Sequence, residues 1–221
     1  MALFHSPSIV TNGLVLCLDA GNPKSYPGTG TAWTDLSGRG NNATLTNGPT
    51  FNSANGGYID FDGTNDYALG SNSTDFLFGT GDYTMSYWFR ADTFSPLPAI
   101  VDLRPNSGID QAYSDYIESN KFKLWLHPTT IYNGGITTLQ TATWYNACVT
   151  RSGSAGSVYI NATLDGTFTN STNLVQGRFK ITGPVSNYFN GRVSNALVYK
   201  GKALTATEVA QNYNALKSRY I

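Results

Sequence analysis

The chain has 221 residues, a charged fraction of only 13%, and 14 Lys and Arg balanced by 14 Asp and Glu. That balance excludes the basic surplus with which nucleic-acid-binding proteins neutralise phosphates. No run approaches the roughly 20 apolar residues of a membrane helix, and the amino terminus lacks a charged stretch followed by an apolar one. The expectation is therefore no nucleic-acid partner and no membrane. Abundant Gly, with 13% aromatic residues, suits short strands joined by many turns in one domain.

In chain order, residues 1–12 lack periodicity and contain Pro7, which predicts an extended arm that wraps its own domain or reaches a neighbouring molecule. Leu14, Leu16 and Leu18 alternate with Val15 and Cys17 in a first strand with two apolar faces, hence covered on both sides. Residues 20–42 are mostly turn formers, with Tyr26, Trp33 and Leu36 as anchors. Such a loop is either a structural flap or part of a binding surface. Further strands are expected at Ala43 to Leu45, Tyr58 to Phe61, Tyr83 to Ala91, Ala99 to Leu103, Gln111 to Glu118 and Lys121 to His127. Others follow at Trp144 to Arg151, Ser157 to Leu164, Arg178 to Ile181 and Asn190 to Tyr199. Ser119-Asn120 and Ser152 to Gly156 read as hairpin connections, and Asp165-Gly166 as a turn favouring positive φ. So many short strands predict an all-β fold, a two-sheet antiparallel sandwich.

The one expected helix is terminal. Thr205 and Glu208 form a capping box, Leu204 and Val209 a hydrophobic staple, and Val209, Tyr213, Leu216 and Tyr220 recur at helical spacing. Cys17 and Cys148 each sit in an apolar strand and read as buried free thiols, although pairing depends on a distance that the sequence leaves open.

The polar stretch between Phe61 and Tyr83 holds the densest acidic cluster. Asp62, Asn65 and Asp66, with backbone carbonyls, are candidate calcium ligands, because a hard cation takes six to eight oxygens. The same residue types also serve as turn formers. A sugar site needs aromatic faces with polar groups beside them. Its candidates are Asp62, Asn65, Asp66, Tyr67, Tyr113 and Tyr116, with Trp125, Tyr132 and Tyr188 also available. Trp125 is flanked by Leu124 and Leu126, which makes the core an equal alternative to display. Trp88 and Trp144 are expected in the core.

GLVLCLDA, W-x-DLSG-x-GN-x-ATL, FDGTNDY, YTMSYWFR, WYNACVTRSG…VYINATLDGT and FNGRVSNALVYKGKALTATEVAQNYNAL resemble, in that order, the laminin G-like / concanavalin A-like jelly-roll domains. The opening is most similar to versions encoded by bacteriophages. The resemblance implies a jelly roll over residues 13–221, with the last strand and the helix returning beside the first strand, and calcium at a sheet rim in some members. It also implies a non-catalytic virion structural protein, decorating a capsid or forming part of a tail or fibre. Its partners would be other virion proteins, copies of itself and cell-surface glycans. A carbohydrate-binding adhesion module is the alternative, and a glycoside hydrolase a remote one. Glucanases on this fold carry acidic residues in an E-x-D-x-E pattern, whereas the only glutamates here are Glu118 and Glu208. No histidine lies near a nucleophile motif, so the expectation is no enzyme and no required cofactor.

Overall fold

The computed structural model describes residues 7–95, 97–103, 113–126, 128–175, 177–182 and 188–221. The strands are β1 Leu14–Asp19, β2 Ala32–Trp33, β3 Ala43–Thr46, β4 Thr50–Asn52, β5 Tyr58–Asp62 and β6 Tyr67–Asn72. They continue as β7 Tyr83–Ala91, β8 Ala99–Asp102, β9 Tyr113–Glu118, β10 Lys121–Leu126 and β11 Thr129–Tyr132. The last are β12 Trp144–Ser152, β13 Ala155–Ile160, β14 Thr163–Thr169, β15 Arg178–Ile181 and β16 Asn190–Lys200, followed by helix α1 Ala206–Leu216. Two eight-stranded antiparallel sheets result. The first runs β14-β13-β12-β7-β16-β5-β4 with β1 also on β16, and the second runs β11-β10-β9-β8-β15-β6-β3-β2. This is a concanavalin A-like jelly roll, and its final strand does return beside the first.

β7 is central, between β12 and β16, and alternation sorts its side chains. Tyr83, Met85, Tyr87 and Phe89 enter the core between the sheets, while Trp88 faces outward into a separate aromatic cluster. Both faces are buried because α1 lies on the outer face of the first sheet. Thr205 Oγ1 accepts from Glu208 N at 3.3 Å, and Glu208 Oε2 accepts from Thr205 N at 2.8 Å, so the capping box is formed. Val209 and Leu204 pack with Cys17, Cys148 and Tyr199, whereas Tyr213, Leu216 and Tyr220 cover Trp88, Trp144 and Tyr58. Trp88 and Trp144 are thus buried as expected, but under the helix and not between the sheets. The buried Asn212 adds what the apolar pattern did not predict. Its Oδ1 accepts from Val10 N at 2.8 Å and its Nδ2 donates to Tyr199 Oη at 2.9 Å, docking residues 8–10 against the same face. Within the expected arm, residues 7–12 therefore lie on their own domain, while residues 1–6 fall outside the described part.

Cys17 pairs with Leu197, Leu197 with Ser86, and Ser86 with Cys148 along one cross-strand row. Three strand spacings amount to roughly 14 Å, twice the reach of a disulfide. Both thiols are free and buried, and burial pushes each pKa up to about 12.

Several sequence expectations are corrected. Ser157 to Leu164 is not one strand but a hairpin, since Asn161 and Ala162 turn the chain at φ 51° and 62°. Asp165-Gly166 is consequently strand, not turn. Asp165 is buried inside β14 and accepts from Tyr132 Oη at 2.7 Å and Thr137 N at 2.6 Å, which ties the edge of the first sheet to that of the second. The stretch after Asp62 is a short loop followed by β6, and β2, β4 and β11 were not anticipated. The long segment 20–42 is a structural flap. Asp35 Oδ1 accepts from Cys17 N at 2.8 Å and Ser37 N at 2.9 Å, and its Oδ2 accepts from Asn41 N at 3.0 Å, while Trp33 fills the core.

Candidate functional site

The expected site residues divide between two places, and one belongs to neither. In the β5–β6 loop, Asp62 Oδ1 accepts from Thr64 N at 2.7 Å, which holds its carboxyl below the usual range. Gly63, at φ +75°, fits because a Cβ there would lie 2.7 Å from Asn190 Cβ. Asp66 is buried, accepts from Asp62 N at 3.2 Å, and has its pKa raised by desolvation. Asn65 is exposed and gives its carbonyl to Asn47 Nδ2 at 2.9 Å, while Tyr67 begins β6 half-buried. A small hollow of about 180 Å³ lies here, lined by Asn47, Gly48, Thr50, Asp60, Asp62 and Asp66, with Asp60 in an ion pair to Arg192 at 3.3 Å. Among the described residues no three His, Cys, Asp or Glu are grouped to hold a metal ion. Asp62 presents the geometry of a turn, its Oδ1 accepting from the backbone of the loop.

Tyr113 leaves the candidate surface altogether. It points inward from β9, is fully buried, and stands 3.4 Å from Asp115 Oδ2. Asp115 also accepts from Tyr87 Oη across the sandwich and from Val101 N at 2.8 Å. Alternation along β9 then sends Ser114, Tyr116 and Glu118 outward.

On this outer face of the second sheet lies a hollow of about 300 Å³, lined by Ser114, Tyr116, Glu118, Trp125 and Thr130, with Leu97, Ala99 and Pro128. β10 buries Phe122, Leu124 and Leu126 inward, and the same alternation turns Trp125 out. Trp125 is therefore turned outward and half-buried, the display side of the two readings that its leucine neighbours left open. Tyr116 meets it edge-on, with centroids 6.4 Å apart at 67°, and Tyr116 Oη lies 3.2 Å from Thr130 Oγ1. Glu118 pairs with Lys123 Nζ at 2.5 Å. Leu97 reaches the rim at φ 49°, a conformation rare for a branched side chain. The hollow combines a ring face, three hydroxyl groups, a carboxylate and apolar walls, which is the chemistry that grips a sugar. Asp102 on β8 sits opposite Ser114, four residues along β9 from Glu118 and thus roughly 13 Å away along the strands.

Two antiparallel sheets, one roofed by a helix and the other with an aromatic hollow on its outer face, define a lectin-like sandwich. Residues 61–210 match the family described as the concanavalin A-like lectin/glucanases superfamily, and the chain belongs to that family. No curated protein matches. Among solved structures it is similar to the binding domain of Paraclostridial Mosquitocidal Protein 1, at 14% identity and TM-score 0.73, over 93% of this chain and 52% of that one. It is also similar to a Trypanosoma rangeli sialidase mutant with trans-sialidase activity, at 16% identity and TM-score 0.71, over 97% and 35%. A third is the binding domain of Botulinum Neurotoxin serotype G, at 14% and 0.70, over 90% and 50%. The chain spans about half of each toxin domain and a third of the sialidase. At these identities the likeness is one of fold.

Proposed function

We propose that the chain is a non-catalytic carbohydrate-binding sandwich that takes a sugar ring on Trp125, and that it works as a structural protein of a phage virion. The observation that carries the binding reading is the Trp125–Tyr116 hollow, a half-buried aromatic surface beside polar groups. The fold is shared with toxin binding domains, which is consistent with it. The virion setting rests on the likeness of the opening segments to phage-encoded domains, and it makes other virion proteins and copies of this chain the partners. An adhesion lectin outside a particle is the second reading, favoured by the same hollow.

A glycan array probed with the whole chain and with Trp125→Ala tests the binding: loss of signal in the variant supports it, and equal signal overturns it. Co-purification with intact particles tests the setting, and its absence from purified particles leaves the adhesion lectin. Release of sugar from any β-glucan would overturn the non-catalytic reading.

A further inference from the structure

We infer that the hollow selects neutral sugars over acidic ones, with Glu118 accepting hydrogen bonds from sugar hydroxyls beside the Trp125 ring and Lys123 positioning that carboxylate. The inference rests on the carbohydrate-binding reading and adds the charge class of the ligand. Glu118 is the one charged residue among the described residues that line the hollow. Its side chain is 40% exposed, whereas that of Lys123 is 10% exposed, with Nζ 2.5 Å from Glu118 Oε2. The pair therefore turns its negative member toward solvent and keeps the positive one packed.

The ligand meets a carboxylate whose Oε2 is already fixed, leaving Oε1 directed by that bond as an acceptor. The rest of the lining fits the same ligand. Tyr116 Oη and Thr130 Oγ1 are within 3.2 Å of each other, and each hydroxyl can both donate and accept. A neutral sugar satisfies these groups with its own hydroxyls. A sugar carboxylate can only accept, and it would bring a second negative charge beside Glu118, where like charges repel.

The test uses the full chain and soluble neutral oligosaccharides, set against the same oligosaccharides capped with sialic or uronic acid. Trp33, Trp88 and Trp144 are buried, so quenching of the more exposed Trp125 reports occupancy. Neutral chains are expected to bind about fivefold more tightly at low salt, and the ratio should shrink as salt is raised. Glu118→Gln should bring the ratio toward one, and Lys123→Met should widen it. Preference for the acidic chains, or a ratio unchanged in Glu118→Gln and at high salt, overturns the inference while leaving carbohydrate binding in place. Failure of both classes to bind overturns the carbohydrate-binding reading itself, and this inference with it.

Discussion

The two outer faces carry similar side chains and have opposite fates. On the first sheet, Trp88 stacks between Tyr213 and Tyr220 at 5.4 and 4.2 Å, and Trp144 lies 4.9 Å from Tyr220. On the second, Trp125 meets Tyr116 edge-on and stays half-exposed. In each case the tryptophan points outward by strand alternation. What differs is the cover, which for the first sheet comes from a helix that begins well beyond both tryptophans in the chain. Display is thus decided by what another segment leaves open, and no local pattern around a tryptophan records it.

That contrast predicts a division of labour, with mutations on the roofed face acting on stability and those on the open face acting on binding. The largest effect is expected for Trp88→Ala, which empties the stack beneath Tyr213 and Tyr220 and should cost about 3–5 kcal/mol. Urea denaturation measures it, and the folded fraction should bind sugar as the native chain does. A loss below about 1 kcal/mol would mean that the helix does not seal this face.

The next effect lies in the interior that both sheets share. Asp115 is fully buried between them, and burial pushes its carboxyl up to about 7 from the ordinary 3.8. A folded state that holds a proton more tightly than the unfolded chain is stabilised below the unfolded value, and it loses that stabilisation as pH rises from about 4 to about 7. In Asp115→Asn, Tyr87 can accept from the amide in place of donating, so the variant mimics the protonated acid. The stability of the variant relative to the native chain should therefore grow across this window by on the order of a few kcal/mol. A constant difference from pH 4 to 7 would show that Asp115 does not titrate there. Asp62, Asp75 and Glu208 have lowered pKa values and act in the opposite sense at lower pH, and they cancel in the comparison of the two chains.

A smaller loss, about 1 kcal/mol, is expected from Thr205→Ala, which removes the cap of the roofing helix. An unchanged denaturation midpoint would separate the cap from the seal.

The roofed face was also the more legible one. The capping box, the staple and the stripe from Val209 to Tyr220 are local patterns, and the helix formed where they placed it. The strand Tyr83 to Ala91, apolar on both faces, announced a central position correctly. Legibility failed where a side chain's role depends on a distant partner. Asp165-Gly166 looks like a turn until Tyr132 and Thr137 N are seen to satisfy the carboxylate. The true turn, Asn161-Ala162, hides because alanine seldom takes positive φ. Tyr113 and Tyr116 are both strand tyrosines, and only the parity of β9, fixed by Ile117 entering the core, separates the buried ring from the displayed one. Trp125 and Glu118 were each noticed for other reasons, yet nothing in their spacing said that adjacent strands would bring them to one hollow.

The smallest stability effect, and the sharpest test of the contrast, is Tyr116→Phe. The substitution keeps the ring that meets Trp125 at 67° and removes only the hydroxyl 3.2 Å from Thr130 Oγ1. Both partners are exposed to solvent, so water replaces the lost bond and stability should move by less than about 0.5 kcal/mol. A bound sugar displaces that water and can no longer be met by the hydroxyl, so affinity should fall by about three- to tenfold, the worth of one hydrogen bond. Parallel melting curves and sugar titrations measure the two quantities. A shift in melting as large as that of Thr205→Ala, with binding intact, would reverse the assignment and make the Tyr116–Trp125 pair a structural contact of the second sheet. A loss of affinity with unchanged melting would place Tyr116 in the binding surface, and Trp88→Ala would then be its mirror image on the other sheet.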